Sequence, residues 1–261
     1  MLLDQLTFTH IGGPTLLIEL AGVRFLTDPT FDPRGTDYKT NVYTLHKTAD
    51  PAIAADQLGK IDYVLLSHDH HFDNLDHAGR ALLKHVTSVY TTTAGAGRLG
   101  ANAVGLAPWQ KVEVNAAGNR LIEITATPAQ HGPADGDRGP VIGFVLSLKK
   151  EASESIYVSG DTVWFDGVAE VARRFPVKAL VLFMGAATVK EVGPNHLTMT
   201  ASEALQAAQV FSGAPIIPVH CDSWAHFTES RKDILDTFGR AGLAERLALL
   251  EPGRRTQLPA R

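Results

Sequence analysis

Apolar positions in the first half of this chain fall in short runs punctuated by glycine. Leu6-Thr7-Phe8-Thr9 leads into Gly12-Gly13-Pro14, Thr15 to Leu20 follows, and Ala21-Gly22 precedes Val23 to Leu26. Short runs, partly β-branched or aromatic and broken by turn residues, predict a β-meander. From Asp28 to about Asp50 the pattern lapses into an irregular stretch holding Phe31, Tyr38 and Tyr43. An irregular stretch of that length with aromatics to bury is expected to line a site. A helix is predicted before Gly59. The run Tyr63-Val64-Leu65-Leu66 then predicts a buried strand that stops abruptly at His68.

Beyond it, Leu75, Ala78, Leu82, Leu83 and Val86 keep helical spacing. Val89-Tyr90-Thr91 and Val112-Glu113-Val114 read as strands, with a short helix or turn over Gly95 to Leu99. Leu121 to Thr127 alternates and halts at Pro128, and Val141–Leu148 with Ser155–Val158 reads as a hairpin. The last third alternates more regularly. A helix near Asp166 to Arg174 precedes the strand Ala179–Phe183. A helix opened by Thr200-Ala201-Ser202-Glu203, a capping-box pattern, precedes the strand Pro215–Val219, and a final helix covers about Glu229 to Phe238. No linker or repeat divides the chain. The pattern predicts one domain over residues 1–261, with two packed β-layers flanked by helices.

Composition narrows the classes. With 261 residues, 44% apolar and 20% charged, the chain has an ordinary globular make-up. A net charge of -4 without a basic block gives no footprint for nucleic acid. No apolar stretch reaches the roughly 18 residues of a membrane helix, and MLLDQLTFTH lacks the basic start and apolar core of a secretory signal. The single cysteine, Cys221, permits no internal disulfide and fits a reducing compartment, so a cytoplasmic protein is expected. Eleven histidines are the compositional oddity.

The histidines cluster where strands are expected to end. His68, Asp69, His70, His71, Asp73, Asn74 and Asp76 follow the first buried strand, and His131, Asp161, His196 and His220 sit near later strand ends. Imidazoles and carboxylates suit zinc, iron or manganese. Taken singly, His131 could be a loop histidine, Asp161 a turn carboxylate or helix cap, and His220 a hydrogen-bonded core histidine. Strand ends facing one way would bring them to a common rim, where sites usually lie.

Their order and spacing resemble the metallo-β-lactamase-fold hydrolases, whose hallmark is His-x-His-x-Asp-His at a strand end, completed by a later His, a Gly-Asp and a final His. Thr15-Leu16-Leu17-Ile18-Glu19, Leu26-Thr27-Asp28-Pro29 and His196-Leu197-Thr198-Met199 look like the branch holding the L-ascorbate-6-phosphate lactonases and the N-acylphosphatidylethanolamine phospholipase D enzymes. The resemblance implies a four-layer αββα sandwich. It also implies His68, His70 and His131 on a first metal, Asp161 bridging two metals, Asp73 and His220 on the second, and His196 near the substrate.

One departure stands out. His71-Phe72-Asp73-Asn74 is one residue longer than the pattern, with Asn74 where a second-metal histidine is expected. His71 could replace that imidazole, or Asp73, Asp161 and His220 could hold a weaker, oxygen-rich site open to manganese or iron as well as zinc, or the enzyme could use one metal. In the one-metal case Asp73 is free to orient a water and take its proton. Asp69 and Asp76 are expected to fix imidazole tautomers and the loop, His226 is close enough in sequence to line the pocket, and Trp164 could wall it. The leading expectation is a zinc-dependent, lactonase-like hydrolase of a small ester, lactone or phosphodiester, with a homo-oligomer left open. An iron-dependent redox enzyme and a catalytically silent binding module are the alternatives, the latter supported by Asn74 alone.

Overall fold

Gly12-Gly13-Pro14 and Ala21-Gly22 fold the opening strands back on one another in the computed structural model, which describes residues 6–135, 138–149 and 154–258. Strands β1 (Leu6–Gly12), β2 (Thr15–Leu20) and β3 (Val23–Thr27) pair antiparallel, Thr7 opposite Glu19 and Leu17 opposite Leu26. The predicted irregular stretch carries a small antiparallel ribbon, β4 (Asp37–Lys39) with β5 (Thr44–His46). Then β6 (Tyr63–Leu65), helix α1 (His77–Leu82), β7 (Ser88–Thr92), helix α2 (Thr93–Leu99) and β8 (Ala103–Leu106) extend the first sheet in parallel from β3.

The second sheet starts with the antiparallel set β9 (Lys111–Ala116), β10 (Arg120–Pro128), β11 (Ile142–Leu148) and β12 (Ser155–Val158). Helices α3 (Asp166–Arg174) and α4 (Ala201–Val210) carry the chain across to two parallel strands, β13 (Val177–Phe183) and β14 (Ile216–Val219). Helix α5 (Arg231–Arg240) follows, and β15 (Thr256–Gln257) returns to pair with β1. The strand orders are β15-β1-β2-β3-β6-β7-β8 and β14-β13-β12-β11-β10-β9.

Period-two alternation decides which way each side chain points. Ile122, Ile124 and Ala126 of β10, and Ala179, Val181 and Phe183 of β13, meet Phe8, Leu16, Ile18 and Phe25 of the first sheet in one buried cluster between the sheets. Each large aliphatic or aromatic side chain buried there contributes about 1.5–3 kcal/mol. On the outer face of the second sheet, Leu180 and Leu182 lie under Val168 and Val171 of α3, the alanines of α4, and Ile234 and Phe238 of α5. Ala201, Ala204, Ala207 and Ala208 recur at helical spacing and form one small-residue stripe. The first sheet's outer face is covered by Leu75, Leu83 and Val86. This is the αββα sandwich that the resemblance implied.

Local differences have local causes. The helix expected over Leu75 to Val86 shortens to α1, because Asp76 caps it by accepting a hydrogen bond from the Gly79 amide, and its last residues tighten into a 3-10 turn, Leu83–His85. The helix expected before Gly59 is a single 3-10 turn, Ala55–Gln57. Strands β8 and β15 are edge strands that were not predicted. Among the described residues no helix is long and apolar enough to cross a membrane.

Candidate metal centre

One rim of the sandwich gathers the chemistry, because strands of both sheets end there. Ser67 and His68 follow β6 of the first sheet, while His131, Asp161 and His220 follow β10, β12 and β14 of the second. The Ile142 amide donates to the Ser67 carbonyl at 3.1 Å and stitches the two rims together. Gly160 makes this approach possible. Its φ is +61°, and a Cβ there would lie 2.6 Å from the Ile142 carbonyl oxygen and 2.9 Å from Ser67 Cβ, so only glycine fits. His220 also has a left-handed backbone, φ 56°, with its amide donating to the Gly13 carbonyl at 2.7 Å. A non-glycine residue held so costs of order 1–3 kcal/mol.

Three imidazole nitrogens converge at the first group. His71 Nδ1 lies 2.9 Å from His68 Nε2 and 3.1 Å from His131 Nε2. The outer nitrogens fix the tautomers. His131 Nδ1 donates to the Leu197 carbonyl at 2.8 Å. Ser67 Oγ donates to Asp28 at 2.6 Å and so accepts from His68 Nδ1 at 2.9 Å. Both Nε2 atoms therefore point lone pairs inward. Burial, reinforced by neighbouring imidazoles, holds His68 well below the usual histidine range and pushes His71 down to about 3. A hydrogen on His71 Nδ1 can bridge these contacts, whereas a cation would meet the lone pairs of all three nitrogens.

The inner place belongs to His71, whereas the resemblance gave it to His70. The hydrogen bonds from the Asn74 and Leu75 amides to the His71 carbonyl curl this segment and turn His71 inward. His70 lies at the rim, still within reach of His68 and His71, but its Nε2 donates to the Arg138 carbonyl at 2.9 Å. His71 is thus not available to replace the imidazole missing at Asn74.

The second group is oxygen-rich. His220 Nε2 lies 3.5 Å from Asp73 Oδ2 and 3.3 Å from Asp161 Oδ1. Asp161 turns its other oxygen, Oδ2, to within 3.6 Å of His131 Nε2, so one carboxylate faces both groups. Burial opposes charge at all three residues, yet the ion pairs win. Asp73 and Asp161 are held below the usual carboxylate range by the facing imidazoles, and His220 is pushed up to about 10. Asn74 donates from Nδ2 to Asp161 Oδ1 at 3.1 Å, and His226 Nε2 lies 3.0 Å from Asp73 Oδ2.

The donor set fits a divalent cation. Both nitrogens of fully buried His220 make no hydrogen bond among the described residues. Buried polar atoms are rarely left so. Among the described residues, three sets of side chains bring their ligand atoms within 4.8 Å of one another: His68, His70 and His71; His68, His131 and Asp161; and Asp73, Asp161 and His220.

A narrow cavity of about 70 Å³ is lined by the polar side chains of His71, Asp73, His131 and His226, by Leu45, Val189 and Leu197, and by Tyr43 and Arg138. Several expectations are corrected here. His196 is not brought to the cluster: its Nε2 lies 3.1 Å from Glu203 and its side chain is 38% exposed, while neighbouring Leu197 takes the cavity wall. Asp69 pairs with Arg98 and Asp76 caps α1 and pairs with Lys47, so a serine hydroxyl and a backbone carbonyl fix the tautomers instead. Trp164 packs beneath the helices and does not line the cavity. His226, which has no motif around it, does.

Comparison with known proteins identifies the family. Residues 23–221 match the family described as the beta-lactamase superfamily domain. The chain therefore belongs to that superfamily, the metal-dependent hydrolases of the metallo-β-lactamase fold. It is 30% identical to a UPF0173 metal-dependent hydrolase of Pelotomaculum thermopropionicum over 215 residues, covering 76% of this chain and 83% of that one. An N-acyl-phosphatidylethanolamine-hydrolyzing phospholipase D of Caenorhabditis elegans is 27% identical over 145 residues, half of this chain and 38% of that protein. Among solved structures, a possible metal-dependent hydrolase from Veillonella parvula superposes with a TM-score of 0.81 at 21% identity, covering 97% of this chain and 99% of that one.

Proposed function

We propose that this chain hydrolyses a small ester, lactone or phosphodiester with a two-metal centre, zinc in the first place. The observation that carries the reading is the carboxylate of Asp161, which faces two ligand groups whose members His71, His131 and Asp73 line one cavity. In this reading His68, His71, His131 and Asp161 hold one ion, and Asp73, Asp161 and His220 belong to the other. The oxygen-rich second group suits manganese or iron as well as zinc. When bound, the ions would acidify a water toward a pKa of about 7 and polarise the substrate oxygen.

The chain's own residues would do the rest. Asp73 lines the cavity and, as a ligand of the second ion, would help to orient the attacking water beside it. Arg138 and Tyr43 would meet the polar end of the substrate, with Arg138 held by donating to the Val192 carbonyl at 2.9 Å. Leu45, Val189 and Leu197 would exclude solvent from its apolar part. The small volume supports a small-molecule substrate.

The test is hydrolysis by metal-loaded protein of p-nitrophenyl acetate, simple γ- and δ-lactones, and bis-p-nitrophenyl phosphate. We expect turnover of at least one class that is lost on chelation and restored by zinc or manganese. Metal-loaded protein that turns over none of these classes would overturn the assignment and favour a binding module.

A further inference from the structure

The second group lacks the imidazole that the family pattern supplies beside Asp73, and three side chains compete for its place. His71 is taken by the first group. Asn74 is adjacent but presents the wrong atom. A carboxylate only accepts hydrogen bonds, so the amide facing Asp161 Oδ1 at 3.1 Å must present its N–H, and the amide oxygen turns away from that carboxylate. The third is His226.

His226 comes from 153 residues further along the chain, and its Nε2 donates to Asp73 Oδ2 at 3.0 Å; unlike an amide nitrogen, an imidazole Nε2 can give up that hydrogen to Nδ1 and present a lone pair. Four donors at about 2.1 Å from a tetrahedral ion lie roughly 3.4 Å apart. Asp73, Asp161 and His220 form one set within 4.8 Å, with 3.5 Å from Asp73 to His220 and 3.3 Å from His220 to Asp161, and His226 joins it through Asp73 at 3.0 Å. The ring is held for the task. Its side chain is 11% exposed, its carbonyl accepts from the Thr188 amide at 2.9 Å, and it packs on Phe227 with ring centroids 4.6 Å apart. Its Nδ1 is buried and makes no hydrogen bond among the described residues.

We propose that His226 is a protein ligand of the second metal, completing a two-nitrogen, two-oxygen set with Asp73, Asp161 and His220 in place of the imidazole absent at Asn74. This rests on the two-metal reading above, and the experiment separates the two. Apo protein is titrated with Zn²⁺ against a competing chelator and with Co²⁺ followed by visible absorbance, for the wild type, His226→Ala and His226→Gln. Gln can keep a hydrogen bond to Asp73 but has no imidazole lone pair.

The expected result is two equivalents in the wild type. Both variants should keep the first equivalent within about threefold and bind the second at least 100-fold more weakly, with loss of the second cobalt's absorbance. Retention of the second equivalent by His226→Gln would make His226 a positioning residue for Asp73 and overturn the proposal. A wild type that binds one ion or none would overturn the two-metal reading itself. Should His226→Ala fold poorly, as circular dichroism would reveal, His226→Gln decides the question.

Discussion

At the scale of residues, the centre turns on which of two adjacent histidines faces inward. His70 and His71 are chemically alike, and the inserted residue leaves the spacing compatible with either. What separates them is the curl of residues 71–75 and the Arg138 carbonyl, 68 positions away, that receives the His70 N–H. Neither is encoded in the local pattern. The same holds for His226, whose partner Asp73 is distant in sequence, and for His196, where the motif was recognisable but Glu203 of the same capping segment holds the ring. By contrast His68, Asp73, Asp161 and His220 were legible, because packing alone does not call for a polar cluster directly after an apolar strand. His71→Ala is expected to lose the first metal and lower activity by more than the roughly 100-fold typical of an outer-shell change, whereas His70→Ala should stay within about 10- to 100-fold. Metal content and hydrolysis rates of the two variants check this, and equal losses would contradict the assignment.

At the scale of elements, strongly patterned strands and capped helices were readable and the edges were not. β10 alternates along much of its length, β13 carries a continuous buried apolar run, and α4 opens with Thr200 accepting from the Glu203 amide while Glu203 accepts from the Thr200 amide. β15 is two residues long and exists because β1 offers it an edge. β8, Ala103–Leu106, is held by pairing with β7 and lacks a β-branched run of its own. Thr200→Ala removes one half of the cap and should cost about 1 kcal/mol. In thermal unfolding that is roughly 2–4 °C for a domain of this size, with metal content unchanged. An unaltered midpoint would mean that the Glu229 carboxylate, which accepts from the Ala201 amide at 2.6 Å, is sufficient alone.

At the scale of the whole molecule, each ligand group draws on both sheets: His68, His71 and Asp73 from the first, His131, Asp161 and His220 from the second. Bound ions would therefore favour the closed sandwich over any state in which the sheets separate. Free metal at a hundredfold over its Kd adds about 2.7 kcal/mol per site. A melting midpoint that rises by several degrees with zinc, and returns with chelator, is the expected outcome. A midpoint indifferent to metal would argue that the rim is already closed by the Ile142–Ser67 hydrogen bond and the inter-sheet core. The order of ligands along the chain also sets a timetable for biosynthesis. On the two-metal reading, a nascent polypeptide would have a complete first set once Asp161 has left the ribosome, but the second set would wait for His220 and His226, behind β14. The second ion would then be captured only when synthesis is nearly done.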